Sequence, residues 1–480
     1  MRLTKTQILA GLQCEKRLYF ILHHPEWARI ARSTAAITGL VVQHHARLEF
    51  PDGLLIERGS AETSPFELTR QCLQDPAVKT LFEAAFRNER LLVFVDVMTR
   101  AGEAWDLIEI KSGTRVKDDH LDDVAIQILA IDQAAIPLNR IYLMHINCDF
   151  VYQGGQDYTG LFVREDITEP VQRNLSATAG YVERMMTVAA GPEPVRHVGS
   201  HCNKPYPCEF KAYCEQHDAE YPVSLLPNAA AVIEKLLNQG VTDVRDIPPD
   251  MLSSETHQRI RRITYQGVPE LLPAAAEELK AVAYPRYYLD FECIQFAIPI
   301  WEGTHPYDQL PFQWSCHIQA QDDSLTHHEF LDVSGNDPRR DFAIAMIAVC
   351  GEEGPIVVYN QSFEKRIIKE LATAFPDLSD KLLALNARIV DLLPIVKRNY
   401  YHPRMKGSWS IKSVLPCLVP ELRYSELGEV QDGIQAQQAY FDLTGDELAT
   451  EEKASLRNDL LEYCKLDTYA MVAIVEKLSG

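Results

Sequence analysis

Leu460-Leu461-Glu462-Tyr463-Cys464-Lys465-Leu466-Asp467-Thr468-Tyr469-Ala470-Met471 sets an acid within the apolar stripe of a helical pattern. On a 3.6-residue period Leu460, Tyr463, Cys464, Asp467 and Met471 share one face, which predicts that Asp467 points at the core with Tyr463 one turn before it. A buried carboxylate is costly unless it is paired or binds a metal. Upstream, Tyr287-Tyr288-Leu289-Asp290-Phe291-Glu292 reads as a buried strand, with Asp290 and Glu292 on one face at i, i+2. Between the two, Val357-Val358-Tyr359-Asn360-Gln361-Ser362-Phe363-Glu364 reads as a strand running into a helix with an acid at its mouth. Three separated segments then aim acid into one interior. Any one of these acids alone reads equally well as a cap or a core ion pair; together a divalent-metal site explains them best.

Hard cations such as Mg²⁺ or Mn²⁺ prefer oxygen ligands. Two such ions about 3.5–4 Å apart stabilise the attacking and leaving oxygens of an in-line phosphodiester displacement. Asp290, Glu292, Glu364 and Asp467 are the candidate ligands, and Tyr463, one turn from Asp467, is the candidate for orienting the attacking water. These residues resemble the DEDD exonuclease superfamily. Its D-x-E motif matches Asp290 and Glu292, its N-x-x-F-D motif matches Asn360, Phe363 and Glu364, and its Y-x-x-x-D motif matches Tyr463 and Asp467. The third match points to the tyrosine-bearing subgroup, and Glu364 departs from the usual Asp. The resemblance covers residues 284–480 and implies a ribonuclease H-like α/β domain.

At 480 residues the chain is expected to hold more than one core. Its 46% hydrophobic and 24% charged residues are those of a soluble globular protein. The start, Met1-Arg-Leu-Thr-Lys-Thr-Gln-Ile-Leu-Ala, lacks a signal-peptide apolar run, and no stretch approaches a membrane span, so a cytoplasmic location is expected. A net charge of −21 argues against a general polyanion binder, since phosphate affinity comes mostly from Lys and Arg. The distribution is uneven. Between Lys397 and Lys412 stand five bases (Lys397, Arg398, Arg404, Lys406, Lys412), no acid, and Tyr400, Tyr401 and Trp409. Cations interleaved with aromatic rings suit a single nucleic-acid strand; they also suit a solvated loop with aromatic packing.

The N-terminal half carries a second acid set. Leu91 to Met98 reads as a strand bearing Asp96, Trp105 to Lys111 as another bearing Glu109 and Lys111, and Thr99 to Glu103 as the hairpin connection. This Asp…Glu-x-Lys pattern resembles the PD-(D/E)XK nuclease core, which implies Asp96 and Glu109 as metal ligands and Lys111 as steadying the hydroxide or the transition-state charge. In the helical segment expected from Asp118, Gln127 falls where RecB-type members place a Gln. Gly39 to His45 resembles the Gly-then-His segment of those enzymes, with neither His44 nor His45 in the usual register.

Eleven cysteines in such a chain suggest metal or redox chemistry rather than a disulfide framework. Cys14 stands alone early, and Cys202, Cys208 and Cys214 cluster far downstream in a polar, Pro-containing stretch. The pattern resembles the iron–sulfur RecB-type nucleases, in which a cluster pins the two ends of the nuclease domain together, although both downstream gaps here are five residues. Four thiolates suit a [4Fe-4S] cluster or a structural Zn²⁺, and the resemblance favours the cluster. Cys72, Cys148, Cys293, Cys316, Cys350 and Cys417 read as core residues.

The expected organisation is α/β throughout: a PD-(D/E)XK restriction-endonuclease-like domain over 1–217, a helical connector over 218–283 and the ribonuclease H-like domain over 284–480. The whole chain resembles a family of uncharacterised bacterial proteins that fuse these two modules. The implied activity is a metal-dependent nuclease with two sites, expected as an exonuclease on single strands or ends of DNA. An RNA substrate and a nucleic-acid-binding scaffold with inactive sites stand as alternatives.

Overall fold

The computed structural model describes residues 1–29, 34–58 and 64–480. The chain divides into two compact units, Met1–Asp218 with Phe296–Tyr307, and Ala219–Gln295 with Asp308–Gly480. Both are mixed α/β.

The first unit opens with β1 (Leu3–Thr4), α1 (Lys5–Gln13), α2 (Glu15–His23), α3 (Thr34–Leu48), β2 (Leu54–Leu55) and α4 (Pro65–Gln74). Its sheet strands follow as β3 (Thr80–Arg87), β4 (Leu91–Ala101) and β5 (Ala104–Lys111), then α5 (Asp118–Ile131), β6 (Leu138–Ile146), β7 (Phe162–Asp166), α6 (Thr168–Ala190) and α7 (Lys211–Gln216). The sheet is mixed and ordered β2-β3-β4-β5-β6-β7, with β1 parallel to β4. The β4–β5 hairpin is longer than the sequence pattern predicts, since its ladder runs on to Ala101 opposite Ala104. Cross-strand packing overrides the polar sequence at this tip, where the Arg100 guanidinium lies 4.3 Å from the Trp105 ring. The turn is then only Gly102-Glu103, and Gly102 takes a φ of +65° that glycine adopts without strain. One core cluster packs Leu18, Val93, Val95, Leu107, Val124 and Leu143. A second joins Val97, Ile108, Ile110 and Met144 to Ala297 and Ile298 of the 296–307 segment.

The second unit begins with α8 (Ala230–Asn238), α9 (Glu255–Gln266), β8 (Glu270–Leu271) and α10 (Ala274–Lys280). Its sheet is built from β9 (Arg286–Ile294), β10 (Leu310–Gln319) and β11 (Leu325–Leu331), then, after α11 (Arg339–Cys350), from β12 (Ile356–Val358). After α12 (Ser362–Ala374) and α13 (Ser379–Ala387) comes the last sheet strand, β13 (Ile389–Asp391). The chain ends with α14 (Leu392–Asn399), β14 (Tyr400–Tyr401), α15 (Ile411–Leu418), α16 (Gly433–Thr444) and α17 (Thr450–Ser479). The five-stranded order is β11-β10-β9-β12-β13, antiparallel on the β10 side of β9 and parallel on the β12 side. Alternation on β9 sends Leu289, Phe291 and Cys293 into a core with Phe342, Ile367 and Leu371. Asp290 and Glu292 are thereby turned to the opposite face. Among the described residues no helix is long and apolar enough to cross a membrane.

Candidate functional site

In the second unit, α17 brings its acid to the β9 acids. The stripe Leu460, Tyr463, Cys464, Asp467 and Met471 is buried throughout. Polar side chains of β10 fix the height of the helix on the sheet. Gln313 donates to the Leu460 carbonyl at 2.8 Å, and Thr468 Oγ1 lies 2.8 Å from both Ser315 Oγ and His317 Nδ1. In the ladder Gln313 is opposite Glu292 and Ser315 opposite Asp290, so the residues that anchor α17 neighbour the acids it must meet. As a result Asp290, Glu292 and Asp467 bring ligand oxygens within 4.8 Å of one another. Glu364, in the first turn of α12, is buried and its Oε2 has no hydrogen-bond partner. Asn360, in the left-handed conformation at a φ of +79°, makes the turn from β12 into that helix. Asp391 accepts from the Asn360 and Gln361 backbone N–H groups at 2.9 and 3.2 Å and holds this turn.

The four carboxyls are electrostatically stressed. Burial, then the charges of Asp467, Glu292 and Glu364, push Asp290 well above the ordinary carboxylate range. Burial, then Asp467, raises Glu292 to about 8. Burial raises Glu364 to about 8, with Asp391 adding to the effect. Asp467 is raised by burial to about 6, against the pull of Tyr424, Lys412 and Tyr463. Like charges in a low-dielectric cleft disfavour ionisation, and a hard cation relieves that stress. The converging oxygens of Asp290, Glu292 and Asp467 fit a divalent ion; Glu364 stands outside that set, with a buried, unpartnered oxygen and a charge that acts on Asp290.

Two groups at this site carry no local sequence signal for the role they have here. Tyr424 donates its hydroxyl to Asp467 Oδ1 at 2.5 Å. Lys412 donates to the Tyr463 hydroxyl and to the Gln431 carbonyl, both at 3.0 Å, and its ammonium lies 4.8 Å from the Tyr463 ring centre. Of the basic stretch, Lys412 is the member whose charge acts on Glu292 and Asp467. Trp409 is buried, with its indole N–H given to the Tyr400 carbonyl and Lys397 over its ring, so the ring is enclosed rather than presented to a base. Tyr400 and Tyr401 are likewise buried. Arg398 pairs with Glu278, while Arg404 and Lys406 are exposed.

In the first unit the hairpin sets Asp96 and Glu109 side by side, one step beyond the Val97–Ile108 pair. Asp96 accepts from the Ile110 backbone N–H at 2.8 Å and from Gln43 at 3.3 Å. Gln43 reaches it from α3, whereas His45 turns to the Val41 carbonyl and the Tyr158 ring. Asp123 and Gln127, one turn apart on α5, face Glu109. Gln127 donates to Glu109 at 2.7 Å and to Asp123 at 3.1 Å. Lys111 bonds Glu109 at 2.8 Å and also Asp123. Lys5, at the start of α1, reaches Glu109 and Asp123 at 2.9 Å each. Lys5 and Asp123 were not among the residues picked out by the Asp…Glu-x-Lys pattern. Burial works to raise Glu109, yet Lys111 and Lys5 together hold it well below the carboxylate range. Burial, then the Glu109 charge, lifts Asp96 to about 7.

Cys14, between α1 and α2, lines one pocket with Cys202, Cys208 and Cys214, beside Phe20 and Phe210. Gln13 ties the Cys14 turn to this loop by donating to the His201 and Tyr206 carbonyls, both at 2.7 Å. Burial pushes the Cys208 and Cys214 thiols up to about 11, and neighbouring cysteines add to it. Cys72, Cys293, Cys316 and Cys350 are buried and Cys417 half-buried. Cys148 corrects the core reading: it is exposed, in the turn where the Asn147 side chain accepts from the Asp149 N–H.

A family described as a domain of unknown function (DUF2779) matches residues 287–410. That span holds Asp290, Glu292 and Glu364 and stops before Lys412, Tyr463 and Asp467. An uncharacterized protein of Ureaplasma parvum is 26% identical over 249 residues, 47% of this chain and 36% of its own length. An uncharacterized protein of Mycoplasma pneumoniae is 28% identical over 212 residues, 39% of this chain and 31% of its own length. The chain thus spans about a third of the length of the curated relatives it matches.

Proposed function

We propose that this protein is a metal-dependent nuclease with two active sites, acting on DNA at single strands or ends. The observation that carries the reading is the convergence of Asp290, Glu292 and Asp467 within 4.8 Å, with Glu292 and Asp467 buried and Asp290 half-buried. The acid order and the strand–helix setting agree with a DEDD exonuclease of ribonuclease H-like fold. Asp290, Glu292, Glu364 and Asp467 would hold Mg²⁺ or Mn²⁺, which when bound supplies electrostatic stabilisation to a phosphodiester displacement. The protein's own part is orientation. Tyr463 positions the attacking water with its hydroxyl, Lys412 holds that hydroxyl from behind, and Tyr424 fixes the rotamer of Asp467.

The first unit fits a RecB-type PD-(D/E)XK nuclease. Asp96 and Glu109 would hold its ion, and Gln127, wholly buried with an unpartnered Oε1, supports a ligand there. Lys111 would face the reacting phosphate. Cys14, Cys202, Cys208 and Cys214 would hold a [4Fe-4S] cluster, supported by their shared pocket.

The test is incubation of end-labelled single- and double-stranded DNA and RNA with Mg²⁺ or Mn²⁺, for the wild type beside Asp290→Ala, Asp467→Ala, Glu109→Ala and Tyr463→Phe. Asp290→Ala and Asp467→Ala should each abolish stepwise shortening with the fold intact, and Tyr463→Phe should slow it while metal affinity holds. Full shortening in Asp290→Ala refutes the second site. Loss of all cleavage in Asp467→Ala makes the first unit a binding module.

A further inference from the structure

We propose that Lys5 is a positioning residue of the first site, the standing counter-ion of Glu109 and Asp123 that leaves Lys111 free to face the reacting phosphate. The inference rests on the nuclease reading of that site. Lys5 and Lys111 span the same two acids. Both ammoniums reach Glu109 Oε1, at 2.9 and 2.8 Å, and each takes one oxygen of Asp123. Gln127 closes the ring by donating to both acids. A lysine that serves a reacting phosphate has to leave its resting partners. Were Lys111 the sole lysine, its departure would leave the buried Asp123 without a counter-charge and Glu109 with the ion alone, which is unfavourable. With Lys5 in place, neither acid is left bare.

The backbone holds Lys5 for this task. Leu3 and Thr4 pair in parallel with Leu91 and Leu92 of β4, which brings the start of the chain alongside the strand that carries Asp96. Thr4 then caps α1 reciprocally with Gln7, so Lys5 stands on the first residue of a doubly capped helix. Charge count gives the same division of labour. Lys5 and Lys111 match Glu109 and Asp123 one for one, while Asp96 has, among the described residues, only the Ile110 N–H and Gln43 as its hydrogen-bond partners.

The experiment uses the full chain with Asp467→Ala, so that remaining cleavage reports the first site. Lys5→Met and Lys5→Arg are compared with Glu109→Ala for cleavage, for thermal melting, and for Mn²⁺ affinity by titration calorimetry. Mn²⁺ binding lost in Glu109→Ala defines the site. Lys5→Met is expected to lower cleavage about 10–100-fold. Its melting should fall yet stay cooperative, since Lys111 still pairs with both acids at rest, and its Mn²⁺ affinity should be equal or tighter, because the removed charge repelled the ion. Lys5→Arg, which keeps the charge, should fall between Lys5→Met and the parent. Undiminished cleavage in Lys5→Met overturns the proposal and leaves the nuclease reading standing. Mn²⁺ affinity falling in step with cleavage, or loss of cooperative melting, makes Lys5 merely structural and overturns it too. A parent that does not cleave removes the nuclease reading of the first site, and the role of Lys5 falls with it.

Discussion

At the scale of residues, the raised carboxyls of the second site carry a pH signature opposite to that of an ion-paired acid. Glu292 and Glu364 titrate near 8 in the folded chain and Asp467 near 6, against about 4 in an unfolded one. Between those values the folded state binds more protons than the unfolded state, so stability falls as pH rises. The contribution is fully present below about pH 4 and is lost progressively up to about pH 8. Metal-free protein is therefore expected to melt lower at pH 8 than at pH 5. Mg²⁺ should recover the loss at pH 8 far more than at pH 5, and Glu292→Gln should flatten the profile; calorimetry across that window checks it. A melting temperature that rises from pH 5 to pH 8 without metal would contradict the assignment. The same residues show what sequence makes legible. Asp290, Glu292 and Asp467 interrupt regular apolar patterns, so the period of each element announces them. Lys5 lies 104 residues from Glu109 and Tyr424 lies 43 from Asp467; no local period links such partners, and only the fold brings them together.

Among the elements, α17 and β10 decide whether the second site exists. The periodicity of α17 was readable because a helix buried along one stripe keeps its apolar residues at i, i+3, i+4 and i+7. Its height on the sheet was not readable, because it depends on Gln313, Ser315 and His317, polar residues on a strand that is buried on both faces. Thr468 is the hub, with Ser315 and His317 each at 2.8 Å. Thr468→Val keeps the shape and removes the hydroxyl, leaving the buried His317 without this hydrogen-bond partner. The expected cost is about 1–3 kcal/mol, read from urea unfolding. Because Asp467 is the preceding residue, stepwise shortening should fall as well. A Thr468→Val chain of unchanged stability would mean that packing alone holds α17. The β4–β5 hairpin shows the complementary limit: its acids were legible, whereas its tip was not, since Thr99 and Arg100 enter the ladder through cross-strand pairing rather than propensity.

For the whole molecule, each acid set comes from a single compact unit: Asp96, Glu109, Lys5, Lys111 and Asp123 from the first, Asp290, Glu292, Glu364, Tyr463 and Asp467 from the second. What the sequence hid is that residues 296–307, lying between β9 and β10, belong to the first unit, where Tyr307 donates to the Ser112 carbonyl next to Lys111. An excursion of this kind leaves no mark in composition. The cysteine pocket gives the separate test of organisation. Cys14 and Cys202 are 188 residues apart, so a group ligated by both closes a long loop, and such closure contributes directly to folding. Protein purified without oxygen is expected to be brown, with broad visible absorbance that bleaches in air, if the four thiolates hold iron and sulfide. A colourless protein with one equivalent of zinc refutes the cluster and leaves a structural ligation. In either case Cys14→Ser should lower the melting temperature of the first unit and remove the cleavage that depends on Lys111. Shortening that depends on Asp467 should survive in that variant, since none of its acids lies in the unit the cysteines close. If both activities vanish together while the wild type keeps both, the two units fold as one, and the independence argued from the placement of the acids is wrong.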